Sequence, residues 1–243
     1  MTELVSYKRC VARRRPEERF PQLVEAATRV FIESGGFRRT QIGDVAKAMG
    51  VAKGTLYLYV ESKEALFDLA LRHADRELPE PPLPVPTPAP GATVGYVRER
   101  MAERARFDAL SEAERRGGPK DMAAELSAVV DEVYAALADN RTAIKLIGTS
   151  AHDLPELGEL WYRRARGALN ERIAKWLARR SAEGHLRPMP DPVAAARFVT
   201  ETASWFAVHR FWDPFPDAIE DEAARETVRT VIRRALLPAS EPS

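Results

Sequence analysis

Apolar positions in the first eighty residues recur at helical spacing. After Arg13-Arg14-Arg15-Pro16, the residues Phe20, Leu23, Val24, Ala27, Val30 and Phe31 fall three and four apart until Gly35-Gly36 ends the run, which predicts an amphipathic helix. A shorter periodic segment follows through Ile42, Val45, Ala46 and Met49, with Thr40 placed to cap its first turn and Gly50 to stop it. Ala52 to Tyr59 forms a third segment. Ser62 can cap a fourth helix through Ala65, Leu66, Leu69 and His73, extending over about Ser62–Leu78.

The pattern then changes. Between Pro79 and Pro90 seven of twelve residues are proline, which removes backbone donors and disfavours helix at the preceding positions. This segment reads as an extended, semi-rigid spacer between two helical blocks, although such tracts also bind aromatic grooves in partners. From Thr93 onward, Val94–Arg116, Asp121–Ala138, Arg141–Ala151, Pro155–Glu183, Pro192–Phe211 and Ala218–Leu236 all read as helix, separated by Gly and Pro breaks. No strand alternation or internal repeat interrupts them. The fold class is therefore all-α, with about nine or ten helices.

Composition adds to this outline mainly through charge. The 243 residues are 45% hydrophobic, enough for a sizeable core. The formal net charge of +1 conceals an asymmetry, since 12 basic and 7 acidic side chains fall within Met1–Lys63, so the basic end is the first functional clue. Cys10 is the only cysteine, which excludes an intrachain disulfide and a thiolate-rich metal site. No stretch approaches the ~18 apolar residues needed to cross a bilayer, and no signal-peptide core opens the chain. A cytoplasmic protein without membrane attachment is expected.

The run from Ile42 to Tyr57 has helix-turn-helix spacing: Ala46 is small where two helices cross, Gly50 permits a tight turn, and Val45, Met49, Val51 and Leu56 fill the space between them. The second helix would begin near Ala52 and expose Lys53, Thr55, Tyr57 and Tyr59, donors and rings suited to a nucleic-acid surface. Arg38, Arg39 and Lys63 sit near helix N-termini, where the macrodipole disfavours cations by about 0.3–1 kcal/mol each. A DNA phosphate would relieve that conflict, making Thr40 and Lys63 backbone clamps. Taken singly these charges are ordinary solvated surface; their coincidence with the motif favours a DNA contact. The tract Lys8, Arg9, Arg13, Arg14 and Arg15 is either an arm entering a minor groove or a solubilising tail.

These residues resemble the TetR family of bacterial transcriptional regulators. The resemblance runs from Phe20 to Leu71 and rests on Leu23-Val24-Glu25-Ala26-Ala27, Gly35-Gly36-Phe37, Thr40-Gln41-Ile42, Asp44-Val45-Ala46, Gly50 through Tyr59, and Ser62-Lys63-Glu64-Ala65-Leu66. Tyr59 stands where many members carry His, and Val60 where Phe is frequent. The resemblance implies an all-α homodimer with a three-helix DNA-binding head, a connecting helix and a C-terminal bundle holding an effector. The chain then divides into a basic arm (1–15), a helix-turn-helix domain (16–61), a connecting helix (62–78), a proline-rich linker (79–93) and an effector-binding and dimerisation bundle (94–243). By position, the resemblance implies phosphate contacts from Thr40, Tyr57 and Lys63, and groove contacts from Lys53, Gly54, Thr55 and Tyr59.

In the bundle, Ala195, Val199, Ala203 and Phe206 form one apolar stripe, and Ala224, Val228, Val231, Ile232 and Ala235 another. Both also read as intrachain core; the family's habit of dimerising through its last two helices makes them the expected interface. Phe107, Ile144, Ile147, Trp161, Tyr162, Trp176, Phe198, Trp205 and His209 can line an apolar cavity. Each alone is better explained by core packing. As a set, with family precedent, they imply a small hydrophobic or aromatic effector, with His209 or Tyr162 as polar anchor. The implied partners are a palindromic double-stranded DNA operator, a second copy of the chain and that effector, which would release a repressor. Control by a protein partner through the bundle, without a small effector, is the alternative. Catalysis has no support: His73, His152, His185 and His209 form no ligand pair, Gly148-Thr149-Ser150-Ala151 lacks the closing glycine of a nucleophile elbow, and no cofactor or metal motif is present.

Overall fold

The computed structural model describes residues 19–104 and 106–239, and these are all-helical. The basic arm expected at 1–15 lies outside the described residues. Counting Pro155–Ala182 as one rod, 11 helices form among the described residues, more than the pattern gave, because Val94–Arg116 is two helices rather than one.

The head consists of α1 (Phe20–Glu33), α2 (Ile42–Ala48) and the single turn α3 (Lys53–Leu56). Helix α1 buries its predicted stripe of Phe20, Leu23, Ala27, Val30 and Phe31. It ends in a Schellman motif, with Gly36 N donating to Phe31 O at 2.9 Å and Gly35 N to Ile32 O at 3.2 Å. The same device closes α2: Gly50 N reaches Lys47 O at 3.1 Å and Val51 N reaches Ala46 O at 2.9 Å, with Gly50 at φ +65°. The start of α2 departs from expectation. Its cap is Gln41, whose amide donates to Asp44 Oδ2 at 2.8 Å, while the Thr40 hydroxyl donates backward to Gly36 O at 3.0 Å.

Ser62 caps α4 (Lys63–His73) as its sequence predicts, accepting from Ala65 N at 3.1 Å. That helix is shorter than the expected connecting helix, and the chain turns at Asp75, whose φ is +56°. The proline segment is not a spacer. Val85 pairs with Val60 in an isolated parallel bridge, donating to Tyr59 O at 2.7 Å and accepting from Glu61 N at 3.0 Å. Thr87 adds an amide bond to Glu61 Oε2 at 2.9 Å and a hydroxyl bond to Ser62 Oγ at 2.8 Å. Proline blocks helix but leaves the intervening residues free to bond, so Val85 and Thr87 bind the segment along the head as a strap.

The remaining helices are α5 (Ala92–Arg104), α6 (Asp108–Arg115), α7 (Met122–Ala138), α8 (Arg141–Ser150), α9 (Pro155–Gly158), α10 (Ala168–Ala182), α11 (Pro192–Ala207) and α12 (Asp221–Leu236). A widened π-helical stretch, Glu159–Gly167, joins α9 to α10, and a 3₁₀ turn, His209–Trp212, follows α11. Two apolar clusters result. One unites the head with α4, α8 and the strap; the other lies among α6, α7, α10, α11 and α12. No described helix is long and apolar enough to cross a membrane.

Candidate nucleic-acid interface and bundle cavity

The reading segment is brief and outward-facing. Lys53 and Gly54 are exposed, Thr55 is half-buried, and Leu56 anchors the turn in the core. A Cβ added to Gly54 would meet nothing within 4 Å, so this turn offers a flat approach that any side chain would raise. Tyr57 is exposed, and beside it Leu58, which sequence reasoning missed, has 57% of its surface open. Arg38 and Arg39 are exposed on the loop before α2.

Three expected DNA contacts are placed differently. Tyr59 is only 2% exposed: the helix ends at Leu56, so the following turn points Tyr57 and Leu58 outward and Tyr59 inward, with its carbonyl bonded to the strap. Its ring is packed within the head's apolar cluster. Thr40 is fully buried and its hydroxyl is committed to Gly36, leaving no side-chain clamp there. Lys63 is half-buried and turned into the head; its Nζ donates to Phe37 O at 3.1 Å and lies 4.3 Å from the Phe37 ring centroid. The carbonyl and the ring face supply the negative potential that a phosphate was expected to provide.

Below this surface, Phe31 and Phe67 meet edge to face at 5.0 Å and Phe37 and Phe67 at 5.3 Å. The same loop is tied to the bundle. Arg38 N donates to Asp153 Oδ2 at 2.8 Å, and a Cβ on Gly36, at φ +116°, would stand 2.4 Å from Thr149 O. Position 36 therefore requires glycine for both conformation and space. Helix α8, which carries Thr149, also packs on α1.

The other end of α8 borders a cavity of about 160 Å³. Phe107, Ile144, Ile147 and Trp161 lie on its wall, together with residues from α4, α5, α7 and α11. The remaining expected lining residues lie elsewhere. Trp176 is buried in the second cluster, donating Nε1–H to Glu125 Oε1 at 2.9 Å. Tyr162, Phe198 and Trp205 are exposed, and His209, on the 3₁₀ turn, is absent from the wall. Sequence reasoning also missed Arg100, Arg104 and Arg166, all of which line the cavity. Arg100 and Arg104 share a face of α5 with Tyr96, Val97 and Met101, a signal readable from the i, i+4 spacing.

The expected dimer stripes are likewise redistributed. Val199, Ala203, Ala224, Val228 and Ile232 are buried within the protomer, and Ala195 and Phe206 pack against the same core. Val231 and Ala235 are exposed. The opposite face of α11 presents Phe198, 52% exposed, and Trp205.

A helix-turn-helix head fixed to a hollow helical bundle defines a DNA-binding regulator. Comparison with known proteins makes the class specific. Residues 23–70 match the family described as bacterial regulatory proteins, tetR family, and residues 134–236 match the C-terminal domain of AefR-like transcriptional repressors. The chain belongs to the TetR family and is a DNA-binding transcriptional regulator. The fatty acid metabolism regulator protein of Bacillus subtilis (strain 168) is 41% identical over 46 residues, 19% of this chain, and the match spans 23% of that relative's length. Among solved structures, the probable transcriptional regulatory protein RHA5900 aligns over 91% of this chain and 99% of its own, with 20% identity and a TM-score of 0.55. The ketosteroid regulator KstR2 of Mycobacterium tuberculosis aligns over 93% and 97%, with 17% identity and a TM-score of 0.51.

Proposed function

We propose that the protein binds a palindromic operator as a homodimer, represses transcription there, and is released when a small, largely apolar effector enters the bundle cavity. The cavity is the observation that carries this reading. A regulator controlled by a protein partner alone needs no hollow core, whereas here one opens beside the two helices that lead to the head. Leu71 on α4 and Ile144 and Ile147 on α8 lie on its wall, and α8 also contacts α1 and, through Thr149, the loop before α2.

In this account Arg38, Arg39, Lys53 and Tyr57 meet phosphates and groove edges, while Gly54 lets the reading turn approach closely. The solvent-facing residues Phe198, Trp205 and Val231 support a contact between copies through α11 and α12. Two heads so joined would read half-sites about 34–36 Å apart. An effector changes DNA affinity only by its preference for one bundle arrangement, typically about 1–3 kcal/mol of coupling.

Selecting bound genomic fragments with the purified chain, then titrating small apolar compounds against the complex, tests the proposal. A palindromic site released by a compound that also raises the Tm of the free protein supports it. A compound that binds the cavity tightly without changing DNA affinity refutes induction by that compound, and protection of a single half-site refutes the dimer.

A further inference from the structure

The walls of the bundle cavity are mostly apolar, yet among the described residues three arginines line them and no carboxylate does: Arg100 and Arg104 from α5, and Arg166 from the π-helical stretch. The nearest acids are shared with other groups. Asp75 stands 4.0 Å from Arg100, but its oxygens already accept the amides of Thr142 and Ala143 at 3.1 and 2.8 Å, capping α8. Glu201 pairs with Arg166 and also with Arg197, the latter at 3.1 Å. The cavity thus carries excess positive charge in a setting of low polarity, where an unmatched cation is costly.

Arg100 is the key group. It is nearly buried, and its two terminal nitrogens reach Leu71 O at 3.1 Å and Asn140 Oδ1 at 3.2 Å, both neutral acceptors. Burial pushes this guanidinium below its ordinary value, and the nearby Asp75 offsets that only in part. Space limits the ligand: about 160 Å³ is close to the ~150 Å³ of an apolar cavity that holds one benzene ring.

Resting on the reading of this cavity as the effector site, we propose that the effector is a small amphiphilic carboxylate, one ring or a short chain in bulk, whose anionic head is bound by Arg100 and Arg166. An anion drawn to Arg100 competes with the Leu71 carbonyl in the last turn of α4, placing the charge of the ligand at the helix that carries the head.

The test compares acids with their own neutral isosteres on the full chain at pH 7.5. The probes are phenylacetate, 3-phenylpropionate and straight-chain carboxylates of four to ten carbons, each paired with its primary amide, read by calorimetry and by Tm shift. At least one acid is expected to bind about tenfold or more tightly than its amide. Arg100→Gln or Arg166→Gln should bring that ratio toward one, and Arg100→Lys should retain most of the preference. Should Arg100→Gln fail to fold, Arg166→Gln carries the same comparison. Equal binding of acid and amide by the unaltered protein overturns the anionic assignment and leaves the cavity as a site for neutral compounds. Binding of none of the probes overturns the assignment and the cavity's role together.

Discussion

The two cores of this protein are closed by different chemistry. Beneath the reading turn, the interior is sealed by ring edges, Phe31, Phe37 and Phe67 in mutual contact, and the nearby cation Lys63 is held by a carbonyl and a ring face. The bundle instead admits charge. Arg180 is fully buried, bonded to Glu125 and Glu183 at 2.7 Å and to the carbonyl of Ala113 at 3.0 Å, and a few helices away a cavity remains open. Aromatic packing fixes one geometry, which a tool for docking on a rigid duplex requires. Buried ion pairs fix orientation only while every partner is present, so the bundle is the half whose arrangement responds to an added or removed charge.

The largest effects should come from breaking the bundle's charge network. Arg180→Ala leaves the largely enclosed Glu125 without its cation and should cost about 3–5 kcal/mol, lowering the Tm by roughly 6–20 °C. Scanning calorimetry checks this. Phe67→Ala removes the shared ring of the head and should cost about 3–5 kcal/mol as well, but chemical denaturation should show the loss with DNA binding impaired in parallel. If both variants lost DNA affinity equally at matched stability, the contrast between the halves would fail.

Gly36→Ala acts at their junction. It places a methyl against the Thr149 carbonyl in a backbone conformation that favours glycine, and should cost about 1–3 kcal/mol, with DNA affinity reduced as the head shifts on α8. A smaller effect is expected from Val85→Pro, which deletes the donor to Tyr59 O at about 0.5–1.5 kcal/mol; hydrogen exchange at Glu61 and Val60 should quicken if the strap steadies the end of the reading segment.

The smallest effect is a pH dependence. His73, packed on the Phe20 ring at 5.3 Å, titrates below its ordinary value near 6.5, first through burial and then through the neighbouring Arg72. The folded protein therefore holds the neutral form more firmly than the unfolded chain does, so this contribution is present above pH 6.5 and is lost as the pH falls through and below it. His73→Gln should flatten a Tm profile taken from pH 7.5 to 5.5.

The same contrast explains how far the sequence could be read. The head was legible because its signals are local: Gly35-Gly36, Gly50 and Ser62 each terminate or cap an element within a few residues. Tyr59 was misread because its burial depends on the end of a single-turn helix and on Val85, far along the chain. In the bundle, helices α11 and α12 carry apolar side chains on more than one face, and their packing against α7 and α10 decides which turns inward. Phe198 and Trp205 accordingly exchanged roles with Val199 and Ala203. The cavity arginines escaped notice because a search for an apolar pocket follows aromatic residues, and long cationic stems border such pockets as readily as rings do.

Contact of Lys53, Gly54 and Tyr57 with the duplex is decided by the affinity of Gly54→Trp for a genomic fragment selected by the unaltered chain, measured at low ionic strength. Because the space beyond Gly54 is empty, an unchanged Tm and a loss of about 100-fold or more in affinity are expected. Unaltered binding by a folded Gly54→Trp protein would contradict that contact.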